Sequence, residues 1–202
     1  MPRIQAMSSE VSPQIAKQPH DDQPGIWTFI VADCFGFAVF FLVFMTERMK
    51  EVAQFDESAR QLDIRLGVAN TVILISSSWL VALGMAAIEQ GKRDQARRLM
   101  LGAIVVGSLF AVLKIAEYHA KITAGISPTT NSFYSFYFIL TGVHFLHYLI
   151  GLGVLIAMIL SLRRANNGPD TKALESGALY WHLVDLLWLF LFPMLYLLPA
   201  HS

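Results

Sequence analysis

Five long apolar blocks alternate with short polar ones along this chain of 202 residues. They fall at about residues 25–45, 66–88, 99–122, 133–162 and 176–198. Each is longer than the ~18 consecutive apolar residues that mark a membrane-crossing helix. The pattern predicts an all-α, polytopic membrane bundle of five transmembrane helices, forming one domain over residues 25–198. The polar stretch from residue 46 to Arg65 is long enough for a surface helix but not for a domain. EQGKRDQARR at 89–98 reads as a short charged turn, and RRANNGPDTK at 163–172 as a loop with a Gly-Pro step. Gly125, Pro128 and Asn131 break the third block from the fourth. Residues 1–24, rich in Ser, Gln, Pro and charge, carry no apolar signal-peptide core and predict a disordered tail. No internal repeat or low-complexity tract is visible.

Composition agrees with this picture: 55% of residues are hydrophobic, 15% are charged and the mean hydropathy is +0.52. A soluble domain carries about 25% charge. The net charge of zero removes any argument for a nucleic-acid partner. The single cysteine, Cys34, cannot form an intrachain disulfide. Five spans put the two termini on opposite sides. The tail, the turn after the second span and the loop after the fourth hold nine basic residues, against five on the other side. That excess predicts a cytoplasmic N-terminus. Trp27, Tyr118, Tyr180 and Tyr196 lie towards span ends and suit interfacial anchoring. Ser76–Ser78, Gly102, Gly107, Gly142, Gly151 and Gly153 are small residues that let membrane helices approach closely.

Ionisable residues within the spans are the candidate chemistry, since a charge at mid-membrane costs roughly 2.5–3.5 kcal/mol on the mildest scale. Asp33 lies about a third of the way along the first span. Lys114 and Glu117 are three apart in the third, His144 and His147 three apart in the fourth, and His182 and Asp185 three apart in the fifth. Residues at that spacing share a helix face. In the fifth span, Trp181, Asp185 and Trp188 follow at spacings of four and three, so two indoles flank an acid. Asp33 suits a proton-relay group, a headgroup ligand or a structural carboxyl hydrogen-bonded to a neighbouring helix. Lys114 and Glu117 suit an ion pair along a path, or a neutralised pair near the outer interface with Lys114 reaching out to water. His144, His147 and His182, with Asp185 or Glu117, supply enough donors for a metal, and histidines on facing helices can ligate haem. Hydrogen bonds between helices account for the same residues without any cofactor. The Phe-rich runs at 35–44 and 133–138 read as lipid-facing or packing surface. No phosphate-cradling glycine loop, CxxC, HExxH or nucleophile elbow occurs.

Several stretches carry a resemblance. YWHLVDLLWLFLF at 180–192 resembles the last helix of subunit III of the haem-copper oxidases. TGVHFLHYLIG at 141–151 is similar to that family's Thr-Gly-x-His-x-x-His helix. IAEYHA at 115–120 is similar to its Glu-Tyr segment, and ANT at 69–71 to its Asn-Thr helix start. GIWTFIVADCFGF at 25–37 resembles its Gly-x-Trp helix, with Asp33 at the membrane carboxylate. The mitochondrial-type subunit has seven spans, so the resemblance implies a branch without the first two. SSSWLVAL at 76–83, the lysine of VLKIAEY and the stretch 125–144 look most like the five-helix accessory protein E of bacterial nitric oxide reductase. Subunit III of bacterial quinol and cytochrome c oxidases is the alternative branch. The resemblance implies a non-catalytic subunit in a bacterial inner membrane, where the excess of basic residues places the C-terminus on the periplasmic side. Its partner would be the catalytic haem-copper subunit, either the nitric oxide reductase large subunit or oxidase subunit I. It implies no catalytic residue and no metal, with phospholipid as the bound molecule. Asp33, Glu117, His144, His147, His182 and Asp185 would be the family's polar positions in the bundle. A haem- or copper-binding redox protein and a transporter lined by Asp33, Lys114 and Glu117 are the rival classes.

Overall fold

A computed structural model describes residues 24–164 and 170–198. The expected tail, apart from Pro24, lies outside the described residues, as does the middle of the 163–172 loop. Six α-helices follow in order: α1 (Pro24–Lys50), α2 (Val52–Arg60), α3 (Ile64–Glu89), α4 (Arg93–Thr123), α5 (Ser132–Arg164) and α6 (Thr171–Phe192). A π-helical turn, Pro193–Leu197, continues α6. All except α2 are long and apolar enough to cross a membrane. Several helices run past the apolar blocks because charged ends such as Glu47–Lys50 and Arg93–Arg98 are helix formers that belong at the membrane surface.

The helices α3 to α6 close into a ring in which each packs on the next and α6 returns to α3. Three residues join α3 to α4, and Gly91 turns there at φ +73°, which a side chain would strain. Apolar area alone drives little association in lipid, so close packing and hydrogen bonds carry the seams. Trp181 is the keystone. It is fully buried, and its indole slots between α4 and α5 where neither backbone carries a side chain. A Cβ on Gly151 would lie 3.0 Å from Trp181 Cε3, and one on Gly107 3.2 Å from Cζ2. Gly142 and Gly153, by contrast, face open space.

Each seam also holds a hydrogen bond. Ser77 Oγ donates to the Ala103 carbonyl at 2.9 Å, tying α3 to α4. Tyr148 donates to the Gly107 carbonyl at 3.1 Å, and Tyr180 to the His147 carbonyl at 3.3 Å. Trp188 Nε1 donates to Thr71 Oγ1 at 3.0 Å, tying α6 to α3.

Outside this ring, α1 leans on α5 and α6 and leaves most of its surface exposed. The short α2 is amphipathic. Phe55 stacks edge-on against Phe44 and Phe133, and Arg48 pairs with Asp56 at 2.9 Å. Asn131 Nδ2 donates to Ser58 Oγ, which fixes α2 to the start of α5. The Phe-rich runs therefore divide: Phe37, Phe44 and Phe133 are buried, whereas Phe35 faces outward.

Candidate functional site

The polar side chains of the spans gather in three places and leave one histidine apart. The deepest group surrounds Lys114 on α4. Its side chain is 0% exposed and that of Glu117 4%, so the lysine does not reach out to the membrane surface. An ammonium has three N–H donors, and all three are used. They meet Glu117 Oε2 at 3.0 Å, Tyr137 Oη at 3.2 Å and Tyr196 Oη at 3.2 Å. Tyr196 in turn donates to Glu117 Oε1 at 2.7 Å, closing the ring of bonds. The Nζ also stands 4.8 Å from the Tyr137 ring centroid and 5.2 Å from that of Trp188, within cation–π range. A buried ion pair is tolerable under these conditions, with good geometry and the remaining donors satisfied. Tyr196 arrives because Pro193 cannot donate to the preceding turn and the chain winds on as a π-turn. Tyr180 and Tyr196, expected as interfacial anchors, are turned inward instead.

The second group joins α1 to α5. His147 Nε2 lies 2.9 Å from Asp33 Oδ1, and His147 Nδ1 lies 2.8 Å from the Val143 carbonyl. A carbonyl only accepts, so Nδ1 carries a proton. The Nε2–Oδ1 contact then also holds one proton, shared between imidazole and carboxyl. Asp33 thus acts across helices, and Phe37 packs edge-on against the same imidazole.

The third group lies between α3 and α6. His182 Nδ1 bonds Ser78 Oγ at 2.5 Å. Asp185 lies within reach of the same hydroxyl, but no bond of good geometry joins them, and its carboxyl is left under-satisfied among the described residues. His182 and Asp185, one turn apart on α6, each face α3 and do not bond each other.

His144 belongs to none of these groups. It is 0% exposed at the centre of the ring, against Phe110 and Trp188, and neither ring nitrogen has a partner among the described residues. The three histidines thus point into three different surroundings. Among the described residues no three His, Cys, Asp or Glu side chains converge on one point.

Tyr137, Tyr196 and Ser78 complete these groups, and sequence reasoning did not single them out as partners. One signal was available on α5. Tyr137, Thr141, His144, Tyr148 and Gly151 recur at spacings of four and three, a polar and small-residue stripe that faces the ring interior.

Comparison with known proteins agrees with this arrangement. The family model for cytochrome c oxidase subunit III matches residues 20–199. Cytochrome c oxidase subunit 3 of Synechocystis sp. is 31% identical over 176 residues, which cover 86% of this chain and 74% of that protein. The subunit 3 of Thermostichus vulcanus is 29% identical, with 86% of each chain covered. The cytochrome bo(3) ubiquinol oxidase subunit 3 of Pseudomonas aeruginosa is 27% identical over 87% of this chain and 84% of that one. On these matches, and with five membrane-length helices enclosing its polar groups, the chain belongs to the cytochrome c oxidase subunit III family.

Proposed function

We propose that this chain is a non-catalytic accessory subunit of a haem-copper terminal oxidase in a bacterial inner membrane. The observation that carries this reading is how the polar side chains are used. Lys114–Glu117, Asp33–His147 and Ser78–His182 are spent on holding helices together, two of them joining different helices directly. The bundle is thereby locked in one arrangement, and its outer faces are left for lipid and for a catalytic subunit. The relatives' names, cytochrome c oxidase and ubiquinol oxidase subunits, support an oxidase as the host complex. The basic residues support a cytoplasmic N-terminus and a periplasmic C-terminus. Phospholipid is the bound molecule this reading expects.

The second reading is an accessory protein of nitric oxide reductase in denitrification. It is favoured by the stretches at 76–83 and 125–144 and by Lys114. Affinity purification of the full chain from its host membranes in mild detergent separates the two. Recovery with a haem complex that consumes oxygen while oxidising quinol or cytochrome c supports the oxidase. Recovery with a complex that consumes nitric oxide and not oxygen selects the reductase. Recovery of the chain alone, without haem, refutes both.

A further inference from the structure

The α3–α6 seam opens outward as a groove of about 430 Å³, lined by Ile75, Ser78, Trp79, His182, Asp185 and Leu189 among others. Its position is unusual for its chemistry. Trp79 and His182 stand near the midpoints of α3 and of the span formed by α6 with its π-turn. Tryptophan in membranes concentrates at the two interfaces, where its N–H finds water. Here the indole is 66% exposed near mid-span, and its N–H donates to no group among the described residues. His182 Nε2 is likewise unpartnered among them, because only Nδ1 is engaged. Asp185 is 5% exposed; the Ser78 hydroxyl beside it is already bonded to His182 Nδ1, and its single proton cannot satisfy both carboxylate oxygens. Lipid tails can satisfy none of these groups, and an unpaired polar group in hydrocarbon costs at least as much as a seam hydrogen bond contributes.

The exposed surface also continues beyond the groove along α3. Val68, Val72, Ile75, Trp79 and Ala82 recur at spacings of four, three, four and three. That is the seam on which a second helix packs side by side, and it is longer than a small ligand needs. The small residues Ser78 and Ala82 allow close backbone approach at its centre.

We infer that the α3–α6 groove is the seat of a transmembrane helix of the catalytic subunit, which presents hydrogen-bonding side chains to Trp79, His182 and Asp185 at mid-membrane. This rests on the accessory-subunit reading and names the face by which the subunit docks. The further polar partner that Asp185 lacks beyond Ser78 comes from the partner helix, and Trp79 is the anchor whose loss costs most. Buried indoles dominate such interfaces.

The test places a benzophenone-bearing amino acid at Trp79, or at the outward-facing control position Leu146 on α5, in the full chain in its host membranes. The expected result is light-dependent cross-linking of position 79, and not 146, to a haem-bearing polypeptide. Cross-linking from 146 but not from 79 overturns the groove while the accessory reading stands. An adduct at 79 of lipid or quinone mass overturns it in favour of a small-molecule occupant. No polypeptide adduct from either position, with no haem complex co-purifying, overturns both readings. In parallel, Trp79→Leu alters only an exposed side chain. It should leave the Tm of the isolated chain unchanged and reduce the recovered complex by roughly tenfold. An undiminished complex refutes the anchor.

Discussion

Replacing Glu117 by Gln removes one charge from the Lys114 cage and leaves its shape almost unchanged. The amide can still accept from Tyr196, so the loss falls on the ammonium. At 3.0 Å the gross attraction between unit charges is about 5–6 kcal/mol at an effective dielectric of ~20. The desolvation of each ion, several kcal/mol, opposes it. Removing one partner exposes that cost, so E117Q should destabilise the chain by about 3–5 kcal/mol. For a chain of this size that is a drop in Tm on the order of 10 °C. Lys114→Met alone strands the carboxylate and should also destabilise. The double variant K114M/E117Q leaves no stranded charge, and the Tyr137 and Tyr196 phenols lie close enough to bond each other. It should recover at least half of the loss, giving a coupling of about 2 kcal/mol or more. Thermal unfolding of the four proteins in one detergent, followed by circular dichroism, measures the cycle. A double variant no more stable than E117Q refutes the claim that the pair is held by mutual compensation.

Three further outcomes follow from the packing. Gly151→Ala puts a Cβ 3.0 Å from Trp181 and should cost about 1–3 kcal/mol in the same melt. Gly153→Ala, with open space around it, should stay within about 0.5 kcal/mol. Asp33→Leu strands the His147 imidazole and should loosen α1, giving faster limited proteolysis near residues 46–65, whereas Asp33→Asn should retain most protection. Phe55→Ala empties the pocket against Phe44 and Phe133 and should cost about 3–5 kcal/mol; unchanged proteolysis of α2 would show that it docks by polar contacts alone.

The five spans were legible because an uninterrupted apolar run of that length is rarely anything but a membrane crossing. The surface helix α2 was legible from its length and polarity alone. The ionisable residues stood out by contrast with their surroundings, since lipid makes each of them expensive. Their partners were not legible. Spacing places His144 and His147 on one face of α5, yet the helix carries one to the ring centre and the other to α1. Lys114 lies within two turns of the charged end of α4, which suited a side chain reaching water, until Tyr137 and Tyr196 from two other helices closed over it. Mean hydropathy reports depth along a helix and is blind to rotation about it, for which the polar stripe on α5 was a periodic signal. Motif likeness at 76–83 and 125–144 favoured a narrower branch than the comparisons support, since the relatives are subunits of cytochrome c and quinol oxidases.

The π-turn at 193–197 bears on that blindness. Such a turn winds more residues about its axis than an α-turn, so every side chain beyond Pro193 stands at an azimuth that a regular helix would not give it. Deleting one residue there would barely alter the length or oiliness of the span. It would nonetheless swing the Tyr196 hydroxyl off Glu117 and strip the lysine of an acceptor. The integrity of the buried charge is thus wagered on the phase of five residues, and a fault in it would pass unseen through any inspection of hydropathy.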